Sequence, residues 1–166
     1  MIIPESFHAA SQDLPWAENW AGDPQIRLKL LMADIEGGRF AVRMTFQPGV
    51  LVAPHKHTGE VHAFTFAGQW SYLEYGDSPA NTPGSYLFEP PGSTHTLKVA
   101  DENEGLTDVL FIIYGAMLHL DDDGQIVAVT DAESVLREYP QRLQEQGTAL
   151  PDKVPTGGMM AYKPLG

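Results

Sequence analysis

The sequence predicts an all-β protein, folded as a double-sheet jelly-roll barrel with one short C-terminal helical segment. Three observations carry that expectation. Sixteen glycines and thirteen prolines cut the 166-residue chain into short pieces. Most of those pieces alternate apolar and polar residues, which is the period of a half-buried strand. Only one stretch, late in the chain, is rich in helix formers.

Taken in order, IRLKLLMADIE (26–36) and RFAVRMTFQ (39–47) read as an antiparallel hairpin turned by Gly37-Gly38. VHAFTFAGQWSYLEY (61–75) reads as a second hairpin with Gly68 at its turn. SYLFEP (85–90), HTLKV (95–99), TDVLFIIYGAMLHL (107–120) and IVAV (126–129) supply further strands, and DDDG between the last two is a turn signal. TDAESVLREYPQRLQEQG (130–147) is the helical stretch, with the helix placed at about 131–146. Thr130 and Glu133 have the spacing of a capping box, and Pro140 is expected to split or kink the helix. Residues 148–166, with prolines and a Gly-Gly pair, are expected to be irregular and to lie along the barrel or a partner subunit. One domain is expected over 1–166, its barrel spanning about 26–129.

Composition removes several function classes. With no cysteine, disulfides, thiolate catalysis and cysteine-held zinc are excluded, so any metal must be held by histidine and carboxylate. A net charge of −12 and a pI near 4.7 leave no basic stripe for phosphates, which argues against nucleic acid. No segment has the unbroken apolar run of a membrane span, and the N-terminus MIIPESFHAA lacks the pattern of a signal peptide. A cytoplasmic enzyme or binding protein is expected.

Half of the six histidines fall in one stretch, PHKHTGEVH (54–62). His55 and His57 are two apart, so on an extended strand both imidazoles leave the same face and can reach one ion. His95 follows EPPGST and opens a strand-like run, from which it can approach the same point. Three ligands from two chain segments, with a coordination position left open, is the usual construction of a catalytic metal site.

At these residues the chain resembles the cupin superfamily. Gly49, His55, His57 and Gly68 fall in register with the first cupin motif, and Gly84, Pro90, Gly92 and His95 with the second. Val61 stands where that family carries a glutamate ligand; Glu60 and His62 flank it, and a one-residue register change would bring either back. HKHTGEVHAFTFAGQWSYLEY with GSYLFEPPGSTHTL is similar to the branch containing the acetylacetone-cleaving enzyme and 2,4'-dihydroxyacetophenone dioxygenase. That resemblance implies a non-haem iron(II) dioxygenase with His55, His57 and His95 as metal ligands and Glu89 as an outer-sphere carboxylate. It also implies a small-molecule carbonyl substrate and O2 as partners, cleavage of a carbon–carbon bond, and a homodimer or higher homo-oligomer. Zinc, nickel or manganese could occupy the site in purified protein, since nitrogen ligands do not select iron by affinity. The alternative is a non-catalytic zinc-binding regulatory cupin of the ChrR type.

Three neutral imidazoles would leave the full double charge on a dication, which favours an anionic, bidentate substrate such as a β-diketone enolate. Glu89 is expected to orient a ligand imidazole or bound water. His62 is a candidate for the catalytic set, against the ordinary reading of a strand histidine facing solvent or a substrate channel. Glu60 reads as a solvated loop charge, and His8 and His119 as structural. Of Phe64, Phe66, Trp70, Tyr72, Tyr86 and Phe88, most are expected in the core, with a few lining an apolar pocket above the metal, alongside Tyr114 and Met117.

Overall fold

A computed structural model of the protein describes residue 8, residues 10–152 and residue 156. Ten strands and one α-helix follow one another in the described residues. The strands are β1 (Ile26–Asp34), β2 (Arg39–Phe46), β3 (Leu51–His57), β4 (Val61–Ala67), β5 (Trp70–Tyr72), β6 (Tyr86–Glu89), β7 (Thr94–Val99), β8 (Thr107–Tyr114), β9 (Met117–Leu120) and β10 (Ile126–Thr130), and the helix is α1 (Ala132–Glu145). They form two five-stranded antiparallel sheets, ordered β1-β2-β8-β4-β6 and β10-β9-β3-β7-β5. The sheets face each other as a jelly-roll barrel whose core includes Leu30, Phe40, Val42, Trp70, Val99 and Val109.

Strict alternation builds the walls. On β8, Thr107, Val109, Phe111 and Ile113 point inward and the residues between them do not. The β1–β2 hairpin closes as expected, because the Asp34 carboxylate accepts from the Gly37 amide at 2.8 Å and from Arg39 Nε at 3.1 Å, satisfying the turn backbone.

The Gly68 turn is not a hairpin turn. β4 is already paired on both sides, by β6 and β8, so β5 finds no free edge there and joins β7 in the other sheet. Gly68 sits at φ +73°, and a Cβ there would lie 2.3 Å from Thr107 Oγ1, so the crossing needs glycine twice over. TDVLFIIYGAMLHL likewise divides at Gly115, with β8 in one sheet and β9 in the other.

α1 is capped one residue later than expected. Asp131 accepts from the Ser134 amide at 2.9 Å, and Ser134 Oγ accepts from the Asp131 amide at 2.8 Å, a reciprocal box in place of Thr130 and Glu133. Pro140 does not split the helix, which continues to Glu145. Val135, Tyr139 and Leu143 share one fully buried face on either side of the proline, and their packing holds the helix across the missing N–H. Tyr139 Oη donates to the Pro15 carbonyl at 2.6 Å and Gln146 Nε2 to that of Trp16 at 2.8 Å, so α1 also pins the N-terminal segment. Of the irregular tail, Thr156 bridges Ala33 on β1, while 153–155 and 157–166 lie outside the described residues.

Candidate metal centre

β3 ends in the His-x-His pair, and alternation turns His55 and His57 inward while Lys56 between them faces out. β7 lies beside β3 with His95 directly opposite His55. The Pro90-Pro91-Gly92 turn preceding β7 is stitched to His57: its carbonyl accepts from the Gly92 amide at 2.8 Å and its amide donates to the Ser93 carbonyl at 3.0 Å. The second turn is thus held in register by the first histidine pair.

The three imidazoles converge. Ring centroids are 5.2 Å apart for His55 and His57, 4.7 Å for His55 and His95, and 5.3 Å for His57 and His95. One nitrogen from each lies within 4.8 Å of the other two. His55 Nδ1 is 2.9 Å from the Ala53 carbonyl, which can only accept, so Nδ1 carries the proton and Nε2 presents a lone pair. Burial pushes both His55 and His57 down to about 4, keeping them in the neutral form a metal requires.

Glu89 completes the cluster from β6. It stands directly across from Val61 on β4, the position where the cupin pattern would have a glutamate. Its Oε2 lies 3.1 Å from His95 Nε2 and 3.4 Å from His57 Nε2, and its Oε1 accepts from Tyr72 Oη at 2.5 Å. The Tyr72 ring stacks on His95 with centroids 3.7 Å apart. Burial pushes the Glu89 carboxyl up, but His95, Tyr72 and His57 outweigh it and hold it below the ordinary carboxylate range. Apart from the ion-pair contact between Glu89 Oε2 and His95 Nε2, which is not aligned as a hydrogen bond, Glu89 Oε2, His95 Nε2 and His57 Nδ1 are buried without a hydrogen bond among the described residues. Such orphaned groups call for a partner. A divalent cation held by His55, His57 and His95 fits both the spacing and the unused lone pairs.

Residues 4–118 match the sequence profile of the ChrR cupin-like domain, more than two thirds of the chain. The chain belongs to the ChrR cupin-like family. The barrel of this cupin is shared by a cupin-fold protein of unknown function from Ralstonia eutropha, with TM-score 0.86, 28% identity and 98% and 99% of the two chains covered. An acetylacetone dioxygenase from Acinetobacter johnsonii superposes with TM-score 0.72 at 17% identity, over 86% of this chain and 95% of that one. A polyketide cyclase from Streptomyces resistomycificus does so with TM-score 0.55 at 15% identity, over 83% and 96%. At those identities the likeness carries the fold, and the same fold serves unrelated reactions. No functionally curated protein matches the chain in sequence.

In this cupin the metal site opens on a cavity of about 120 Å³ within the barrel. His55 and His57 line it, and Leu28, Phe40, Val42, Phe111, Ile113 and Met117 make its walls apolar. Among the described residues, no lysine or arginine reaches it. His119 does, which the reading of that residue as structural missed. β9 lies on the free side of β3 with His119 directly opposite His55, so both side chains leave the same face. The sequence MLHL holds no sign of this, because nothing in it says which strand is its neighbour.

His62 does not join the site. It sits on β4 between the inward Val61 and Ala63 and therefore points to the outer face of the sheet. There its Nδ1 is 2.7 Å from Tyr86 Oη and its Nε2 is 3.4 Å from Glu60, so no register change brings either residue in. Phe64, Phe66, Tyr86 and Phe88 are likewise exposed rather than core, and only Trp70 and Tyr72 of the six aromatics are buried. The alternation is as expected but its phase is reversed, since Leu87 and Glu89 take the inward positions of β6. Tyr114 belongs to that outer face, Met117 to the cavity, and His8 is exposed. Among the described residues, no helix is long and apolar enough to cross a membrane.

Proposed function

We propose that this cupin is a metal-dependent dioxygenase, working with iron(II), that cleaves a carbon–carbon bond in a small β-diketone or hydroxyketone. The observation that carries the reading is the hollow beside the ligands: His55 and His57 line an apolar cavity of about 120 Å³, where a purely structural metal would be closed in by side chains. Bound iron would supply the redox chemistry that joins the substrate to O2.

The chain's own residues have separable tasks. The Ala53 carbonyl fixes the tautomer of His55. Tyr72 braces His95 by stacking and holds Glu89 by a hydrogen bond, which keeps a negative charge beside the ligand imidazoles without placing it in the cavity. The apolar walls exclude water, and with no cation among the described residues that form them they favour a substrate that enters neutral and gives up its proton at the site.

Oxygen uptake by anaerobically iron-loaded protein, across a panel of β-diketones and hydroxyacetophenones, tests the proposal. Uptake coupled one-to-one to loss of a substrate is expected, and none with any of them at full iron occupancy refutes it. A second reading, a zinc-holding regulatory cupin, draws support from the family and from Glu89, which returns a carboxylate to the cluster from the strand beside Val61. Tightly held zinc in native protein, without uptake after exchange to iron, favours that reading.

A further inference from the structure

Resting on the dioxygenase reading of the cavity, we propose that His119, held by Thr130, is a specificity-determining residue that hydrogen-bonds a substrate hydroxyl lying beside the metal-bound oxygens. Polar groups in an apolar cavity set the orientation of what enters it, so each one must be accounted for. His55 and His57 are committed to the metal. Tyr72 Oη is committed to Glu89 at 2.5 Å. Glu138, at the mouth, is half exposed and 3.4 Å from Arg137. Thr130 Oγ1 is 2.8 Å from His119 Nε2. Trp20, beside Glu138 in the lining, carries an indole N–H that can only donate. Of the groups that can both donate and accept, His119 Nδ1 remains, with no hydrogen bond among the described residues, on a ring that lines the cavity directly across from His55.

The Thr130 contact fixes the ring while leaving its tautomer open, because a threonine hydroxyl donates or accepts equally well. Nδ1 is then an acceptor or a donor. A substrate hydroxyl complements either form, whereas a carbonyl oxygen suits only one. The inference therefore names a hydroxyl, adjacent to the chelating oxygens because His119 and His55 are immediate cross-strand neighbours. A histidine serving only to tie β9 to the end of β10 would be tested by stability alone and would leave ligand selectivity unmoved.

The experiment is calorimetric titration of zinc-loaded protein, in which no turnover occurs, with pentane-2,4-dione and with 1-hydroxypentane-2,4-dione. The hydroxylated probe is expected to bind about tenfold tighter to the wild-type protein, the scale of one net hydrogen bond. That ratio should fall to near one in His119→Leu, survive in part in His119→Asn, and fall again in Thr130→Val, all with zinc content unchanged. If His119→Leu fails to hold zinc, Thr130→Val decides, since it only releases the ring. Equal binding of the two probes by the wild-type protein, or a preference that persists in the Leu and Val variants, overturns the role of His119 while leaving the dioxygenase reading intact. Binding of neither probe overturns the role of His119, and the oxygen-uptake panel then decides the dioxygenase reading separately.

Discussion

Lowering the pH of the metal-free protein should unfold it through the buried histidines before its carboxylates matter. His55 and His57 ordinarily titrate near 6.5 and are pushed by burial to about 4. Between those values the unfolded chain takes up a proton at each ring and the folded chain does not, so stability falls as pH falls. Above 6.5 both states are neutral and the rings contribute nothing to the slope. With these values, linkage gives a loss of about 2 kcal/mol per histidine at pH 5, rising towards roughly 3 kcal/mol at the lower end of the window. Glu89, held below its ordinary 4.5, adds to the loss only beneath that pH. Urea denaturation of metal-free protein between about pH 7 and pH 4.5, beside a His55→Gln/His57→Gln variant, measures the difference. The variant should show a much shallower decline than wild type. Identical slopes would refute the claim that these rings are buried in the neutral form.

Glu89→Gln removes the charge beside His57 and His95 while keeping the shape, and should weaken metal affinity by about 10- to 100-fold, read by competition with a chromophoric chelator. Unchanged affinity would make Glu89 a bystander. Gly68→Ala places a methyl 2.3 Å from Thr107 Oγ1 and 2.7 Å from Thr107 Cα at positive φ, and should cost about 2–4 kcal/mol of stability by denaturant titration. In α1, Pro140→Ala restores a backbone donor inside a continuous helix and should raise stability by about 1–3 kcal/mol, with a higher Tm. A neutral or destabilising result there would mean that the proline ring's own packing outweighs the missing hydrogen bond.

Much of the centre was legible because its signals are local. The two-residue spacing of His55 and His57 fixes a shared face on any extended strand, and the Pro-Pro-Gly turn ahead of His95 marks where the second segment enters. The β1–β2 hairpin was legible for the same reason, since Asp34, Gly37 and Arg39 act within a few residues of one another. Glu89 was visible as a motif position, but not as the cross-strand neighbour of Val61, because that pairing joins residues 61 and 89 through a register no local pattern states.

The phase of β4 and β6 was not legible. PHKHTGEVHAFTF offers histidine and phenylalanine on one face and valine and alanine on the other, and hydrophobicity alone would bury the larger rings. The structure buries the smaller residues, because the inward face of β4 packs Val61 and Ala63 into the core shared with β6 and β8, leaving His62, Phe64 and Phe66 outside. His119 was lost to the same blindness in reverse. By itself, then, the amino-acid order determined the strand period, the turns, the absence of thiol chemistry and the three metal-binding imidazoles, all properties of neighbouring residues. The folded molecule decided which sheet each strand joined, which face of it was covered, and which side chains from distant segments met, because those outcomes depend on burying many apolar faces at once and no single segment contains that information.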